Sequence, residues 1–231
     1  MKKAIGILGG MGPLATCDLM EKIIRYTYAK KDQDHVHILV DCNTNIPDRT
    51  AAILGDGESP LPEMVKSAQR LQQMGAEALI MPCNTAHYFL PRLRQCVDIP
   101  FLSILEETAS YLKAQGVQTA AVLATDGTVK MGLYETALQE AGITTLYPQP
   151  QEQALLMALI YDYVKAGKPC PHPEEIVSLC DRLVKQGAQS LILGCTELPV
   201  AFAEFGRELP TVDPTELLAK AAIRFAGCKI L

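Results

Sequence analysis

Apolar residues recur along the chain in short uninterrupted runs, and longer stretches with helical periodicity separate them. The strand-length runs lie at 4–8, 36–40, 78–81, 101–104, 120–123 and 190–193. Between them, apolar positions repeat every three or four residues, as in amphipathic helices, at 14–28, 63–74, 129–141, 153–165 and 174–185. Continuous apolar strands that alternate with helices predict an α/β protein with mostly parallel sheets flanked by helices.

Four glycines mark the predicted helix ends. Gly75, Gly116, Gly142 and Gly187 each follow a helical stretch, where a residue in the left-handed conformation commonly ends a helix. In parallel sheets, ligands bind beyond the carboxyl ends of the strands. Cys83 lies at one of those predicted ends.

The helix–strand unit before Cys83 occurs twice. RLQQMGAEALIMPC (70–83) aligns without gaps on RLVKQGAQSLILGC (182–195), with seven of fourteen positions identical and cysteine last in both. Internal similarity of this kind indicates two related halves. If a pseudo-twofold axis relates them, their strand ends face a shared cleft, and Cys83 and Cys195 each bring one thiol to it.

Two opposed thiols suit one kind of chemistry better than others. A disulfide exchanger holds its cysteines in one Cys-x-x-Cys motif, a zinc site needs further ligands at ligand spacing, and a cysteine hydrolase uses one thiol with a histidine base. Proton removal on one face of a carbon, with proton return on the other, uses both thiols and inverts a stereocentre. Thr85 and Thr196 are predicted N-caps of the following helices, whose N-termini would lower the pKa of each thiol.

Composition narrows the class of protein. The net charge is −5, and no block of lysine and arginine indicates binding to nucleic acid or to an anionic membrane. No apolar run approaches the ~18 residues of a membrane span. Glycines and Pro13 interrupt the N-terminal apolar stretch, which predicts a buried strand rather than a signal peptide. We therefore expect a cytoplasmic protein with reduced thiols.

Six motifs spread over the chain resemble the cofactor-independent aspartate/glutamate racemase family: ILGGMGP (7–13), IPDRT (46–50), PCNTAH (82–87), ATDGT (124–128), YVKAGK (163–168) and GCTELP (194–199). The resemblance implies a homodimer of two-domain chains with the active site between the domains. The domains would be residues 1–104 with 211–231, and residues 105–210.

The same resemblance implies the reaction and its catalysts. An aspartate or glutamate substrate would be racemised with no cofactor and no metal ion, by Cys83 and Cys195. Cys195 would face the α-hydrogen of the L-enantiomer, and Cys83 that of the D-enantiomer. Some relatives carry threonine at the first position and process one enantiomer, so the cysteine here favours racemisation in both directions.

The resemblance also implies which residues hold the substrate carboxylates. Arg49 and Lys165 match an arginine and a lysine that bind these groups in aspartate-type members. The planar fork of a guanidinium suits bidentate carboxylate binding. A lysine near the end of a helix, such as Lys165, is also common as simple solvent decoration.

Further substrate-binding candidates lie next to the thiols or at neighbouring strand ends. Asn84, Thr85 and Thr196 offer amide, hydroxyl and main-chain donors for the α-carboxylate. Thr125 and Met11 complete the set of predicted substrate-binding residues.

Two departures separate the chain from glutamate racemases of the cell-wall pathway, which it also resembles. Those enzymes place Asp-Ser-Gly after the first strand and a histidine beside the second cysteine. Here the corresponding residues are Gly9-Gly10-Met11-Gly12 and Thr196-Glu197. The aspartate-type or broad-specificity branch is the better match.

Three alternatives stay open. The stretch from Gly10 to Ala15 fits the G-x-G-x-x-A pattern of NAD-dependent oxidoreductases, with Asp41 as ribose ligand, although Pro13 removes a donor from the phosphate loop. The racemase scaffold also serves hydantoin racemisation, maleate cis–trans isomerisation and arylmalonate decarboxylation. The third alternative is a non-catalytic amino-acid-binding protein, which would not need both thiols.

His87 is expected to pack or cap near the site.

Overall fold

A computed structural model describes residues 2–231, which fold into strands and helices in alternation. The strands are β1 (Ile5–Gly9), β2 (Ile38–Cys42), β3 (Ala78–Ile80), β4 (Thr119–Ala124), β5 (Thr144–Leu146), β6 (Ser190–Gly194) and β7 (Thr211–Val212). The helices are α1 (Pro13–Tyr26), α2 (Arg49–Leu54), α3 (Leu61–Gln73), α4 (Leu90–Leu93), α5 (Ile104–Ala114), α6 (Asp126–Lys130), α7 (Leu133–Glu140), α8 (Pro150–Ala158), α9 (Pro173–Lys185), α10 (Leu198–Glu204) and α11 (Pro214–Phe225). Short 3₁₀ segments span Asp32–Asp34 and Thr85–Phe89, and Leu159–Val164 is π-helical.

The strands form two sheets with the same central arrangement. One sheet has the order β2-β1-β3 and the other β5-β4-β6-β7, and every strand pair in both is parallel. In each, the first strand is central and the next two flank it. The predicted α/β class with parallel sheets is confirmed.

The chain divides into two compact units, Met1–Glu107 with Thr215–Leu231, and Thr108–Pro214. The resemblance placed all of residues 211–231 in the first domain. Instead, Thr211 and Val212 pair with β6 in the second sheet, because the outer edge of β6 offers main-chain partners to a strand. The return to the first unit begins at Thr215.

The predicted strand at 101–104 is wrong. Phe101 makes one isolated bridge to Leu79, and α5 begins at Ile104. The side chain of Ser103 accepts a hydrogen bond from the Glu106 N–H at 3.3 Å, as an N-terminal helix cap does. The strand therefore ends after a single bridge.

Glycine geometry confirms the predicted helix ends and splits one predicted helix. Gly75, Gly116, Gly142 and Gly187 all have positive φ. Gly132, with φ of 56°, lies between α6 and α7 and divides the helix predicted at 129–141. No helix among residues 2–231 is long and apolar enough to span a bilayer.

Each sheet carries its own buried core. Leu8, Met11, Leu79 and Cys83 belong to one apolar cluster in the first unit. The second cluster contains Leu191, Leu193, Cys195 and Leu198, among others. Both cysteines therefore lie where the core meets the carboxyl edge of a sheet.

Candidate active site

The turn after β3 fixes the main chain of Cys83. Its N–H donates to the Met81 carbonyl at 2.9 Å, and its carbonyl accepts from Nδ1 of His87 at 2.9 Å. Nε2 of the same imidazole accepts the N–H of Ile104 at 3.1 Å. The His87 ring thus carries its hydrogen on Nδ1 and joins the Cys83 turn to the start of α5.

The His87 imidazole is neutral at physiological pH. Burial lowers its pKa to about 4, against the opposing effect of the hydrogen bond to the Cys83 carbonyl. A charged ring could not accept the Ile104 N–H, so both hydrogen bonds require the neutral form. His87 holds the cysteine in place, and its low pKa makes it a poor base at neutral pH.

Arg49 and Met11 meet in the first unit. The buried guanidinium of Arg49 donates from Nη1 to the carbonyls of Ile46 and Pro47, at 3.2 and 2.9 Å, and from Nη2 to the Met11 carbonyl at 3.3 Å. These bonds tie the loop after β2 to the loop after β1. Gly10 allows the close approach, since a Cβ there would lie 2.3 Å from the main chain of Asn43.

The predicted helix caps are wrong at both cysteines. Asn84 is the N-cap of the 3₁₀ segment, and its carbonyl accepts the His87 N–H at 3.0 Å, while Thr85 is the first residue inside that segment. At the second cysteine, Glu197 is the N-cap of α10, one residue beyond Thr196. The cap therefore lies one residue before the predicted position at the first cysteine and one residue after it at the second.

The second cysteine contacts a carboxylate through its sulfur. Cys195 Sγ donates to Glu197 Oε2 at 2.9 Å, and Thr196 Oγ1 donates to the same oxygen at 3.2 Å. The Cys195 carbonyl accepts the N–H of Leu198 at 3.0 Å. The turn after β6 thus directs a thiol, a hydroxyl and a carboxylate to one point.

Lys165 completes this group from the end of the π-helical segment. Its Nζ lies 2.8 Å from Glu197 Oε1 and 5.5 Å from the centre of the Tyr161 ring. The predicted substrate-binding residue Lys165 is thus brought to Cys195 by way of Glu197.

Electrostatics keep the proton on sulfur rather than on the carboxylate. Burial raises the pKa of Cys195 well above its usual value, and the charge of Glu197 raises it further. Burial also acts to raise the pKa of Glu197, but Lys165 and the thiol hydrogen bond outweigh it and lower that pKa overall. The expectation that a helix N-terminus would lower the pKa of this thiol is wrong for Cys195.

Thr125 lies at the edge of the sheet that carries Cys195. Ala124, which precedes Thr125, and Gly194, which precedes Cys195, are partners in the β4–β6 ladder. The Thr125 side chain caps α6 by accepting the Thr128 N–H at 3.4 Å.

Sequence reasoning named Glu197 only as a departure from relatives and missed its contacts. A signal was present, since the side chain lies two positions beyond a repeated cysteine, where some relatives carry histidine. Its hydrogen bonds with Cys195, Thr196 and Lys165 group it with three of the predicted site residues.

The parallel α/β fold of the chain matches that of racemases of known structure. A sequence profile of the family described as Asp/Glu/Hydantoin racemase matches residues 8–222, so the chain belongs to this family and its reaction class is that of an isomerase. The predicted family is confirmed, and the alternative of an NAD-dependent oxidoreductase is set aside.

Individual relatives agree with this assignment. The chain is similar to the aspartate racemase of Picrophilus torridus, with 34% identity, a TM-score of 0.88, and coverage of 99% of this chain and 96% of that one. It is 27% identical over 225 residues to the broad specificity amino-acid racemase RacX of Bacillus subtilis, covering 95% of this chain and 96% of RacX. The fold is also that of the glutamate racemase of Francisella tularensis in complex with D-glutamate, with a TM-score of 0.69, 17% identity, and coverage of 96% and 80%.

Proposed function

We propose that the protein interconverts L- and D-aspartate, or the glutamate enantiomers, by proton transfer between the substrate α-carbon and two thiols, without a cofactor or metal ion. The observation that carries this proposal is the repeated placement of a cysteine. Cys83 follows β3 and Cys195 follows β6, and each of these strands lies next to the central strand of its sheet. The two cysteines are buried to the same extent, with 7% of each exposed. The 34% identity to an aspartate racemase supports aspartate as the first substrate to test.

In the proposed mechanism one cysteine is a thiolate and the other a thiol. The thiolate takes the α-proton, so the C–H bond breaks and an S–H bond forms, while the electron pair stays on the α-carbon and its carboxylate. The second thiol then gives its proton to the opposite face, and its own S–H bond breaks. The cysteines have exchanged protonation states, and the stereocentre is inverted.

The α-proton of an amino acid is weakly acidic, so positioned proton transfer alone is insufficient. It typically contributes ~10²–10⁴-fold, and the rest must come from orientation and from stabilisation of charge on the carboxylate. We assign Arg49 and Lys165 to the substrate carboxylates, with Asn84, Thr85 and Thr196 as donors. Met11, in the loop after β1, and Thr125, directly after β4, complete the proposed set.

The proposal includes a homodimer and a cytoplasmic location. Within residues 2–231 all eight cysteines are free thiols, which supports a reducing compartment. A reducing environment would also keep both catalytic cysteines available as thiol and thiolate.

The test is an exchange experiment in D2O. Reduced protein, with no cofactor added, is incubated with L-aspartate or L-glutamate, while proton NMR follows loss of the α-hydrogen and chiral chromatography follows the enantiomers. Exchange accompanied by formation of the D-enantiomer supports the proposal and identifies the substrate. If folded protein with free thiols exchanges neither acid, the aspartate/glutamate assignment fails and the other substrates of this scaffold must be tested.

A further inference from the structure

Three side chains of the second unit form a continuous chain of contacts: Lys165 Nζ to Glu197 Oε1 at 2.8 Å, and Glu197 Oε2 to Cys195 Sγ at 2.9 Å. We propose that Glu197 is a positioning residue that accepts the hydrogen of the Cys195 thiol, keeps this sulfur protonated in the resting enzyme and is itself held in place by Lys165. This role rests on the proposed racemisation, in which the protonation state of Cys195 decides which enantiomer reacts.

Charge balance supports this assignment. Ionisation of Cys195 would place a thiolate 2.9 Å from a carboxylate, in a buried setting where repulsion between like charges is poorly screened. The ammonium group of Lys165 can neutralise one of these two charges but not both. Since the pKa of Glu197 is lowered while that of Cys195 is raised, the carboxylate carries the negative charge.

The remaining polar groups near the sulfur do not offset this arrangement. Thr196 donates its hydroxyl hydrogen to Glu197. Tyr134 of α7 faces Gly194 and stays neutral, because burial raises its pKa, and Asp213 acts in the same direction on that phenol. Tyr161 lies against Lys165. Among the described residues, Glu197 and Lys165 are the charged groups that act most strongly on Cys195.

The consequence for turnover is a bias between the two forms of the enzyme. When Cys195 is the thiol, it is the group that donates a proton to the substrate. Cys83 is then the group that removes the α-hydrogen. That is the form which accepts the D-enantiomer in the proposed assignment. After donation, the Cys195 thiolate lies beside the Glu197 carboxylate, and their repulsion favours its return to the thiol form.

Glu197→Gln tests the role, because the amide keeps the size of the side chain and removes its charge. Reduced protein without substrate is treated with iodoacetamide across a range of pH, and peptide mass spectrometry follows alkylation at each cysteine. We expect the midpoint for Cys195 to fall by about one pH unit. At fixed pH below the midpoint this gives ~10-fold more thiolate but lower intrinsic nucleophilicity, for a net increase of about threefold in alkylation rate.

Lys165→Met should have the opposite effect and raise the Cys195 midpoint, because it removes the compensating cation. Glu204→Gln, the same chemical change at an exposed position of α10, is the matched control and should leave Cys195 unchanged. The exposed thiol Cys17 serves as an internal reference in every sample.

A purely structural role for Glu197 would leave the pH profile of Cys195 unchanged in Glu197→Gln, and that result would overturn the proposal. If the buried sulfur is alkylated too slowly to follow, titration of thiolate ultraviolet absorption against a Cys195→Ser background gives the same midpoint. No substrate is present in either measurement. The proposal about Glu197 can therefore fail while racemisation holds, or hold while racemisation fails.

Discussion

The two cysteine turns are alike up to the sulfur and differ immediately after it. By the repeat alignment, Thr85 of the first turn corresponds to Glu197 of the second, and His87 corresponds to Pro199. In the first turn, a neutral imidazole holds the main chain of the cysteine. In the second, a carboxylate holds the sulfur itself. The repeat therefore accounts for where each thiol lies, and the residues that follow set how firmly the second thiol keeps its proton.

Loss of either thiol should produce the largest effect. Cys83→Ala and Cys195→Ala should each lower the rate of racemisation by at least ~10²–10⁴-fold, because each removes one of two proton-transfer groups. Circular dichroism and chiral chromatography would check folding and rate together. Cys17→Ala, at an exposed position, is the control. Full-rate racemisation by either active-site variant would refute the two-thiol mechanism.

The histidine of the first turn should make stability depend on pH. The unfolded chain binds a proton at His87 with a pKa near 6.5, while the folded state does so only at about 4. The folded state therefore loses stability as pH falls from 6.5 towards 4, by about 3 kcal/mol in total.

Denaturant unfolding of wild type and His87→Asn at several pH values measures this contribution. The variant is less stable at pH 7, and its deficit should shrink by about 3 kcal/mol towards pH 4, since it lacks the titrating ring. His37→Asn, at an exposed position, should track the wild type. A deficit that is constant with pH would show that His87 does not titrate as described.

Lys165, which contacts the second turn through Glu197, should affect substrate binding more than folding. Lys165→Met should raise KM for the dicarboxylic substrate ~10- to 100-fold, the usual range for loss of a hydrogen bond to a charged group. Lys168→Met removes the same charge three residues later, beyond the end of the helical segment, and should leave KM unchanged. Equal KM values for Lys165→Met and wild type would remove Lys165 from the set of carboxylate ligands.

Gly194, the residue before the second cysteine, offers the smallest and most local change. A Cβ on Gly194 would lie 3.1 Å from Ala124 Cβ and from Tyr134 Cε2. Gly194→Ala should therefore lower the free energy of unfolding by about 1 kcal/mol, at the low end for an overpacked site. Urea unfolding measures the loss. No loss of stability would mean that this turn is looser than the structure indicates.

The sequence predicted the features that depend on repeated, local patterns. Apolar runs located β1, β4 and β6, glycines located helix ends, and the repeat singled out both cysteines. Features that depend on tertiary contacts were missed. The ion pair between Lys165 and Glu197 joins residues 32 positions apart. The strands β5 and β7 were missed for a different reason, since they are short and carry too few apolar residues to stand out.

The most direct test of the central claim follows exchange, not only inversion, in the two single-cysteine variants. Each variant is incubated in D2O with each enantiomer of the substrate. If two thiols act on opposite faces, Cys83→Ala exchanges the α-hydrogen of the L-enantiomer alone, Cys195→Ala that of the D-enantiomer alone, and neither forms the opposite enantiomer. Exchange of both enantiomers by one variant would contradict the assignment of one thiol to each face.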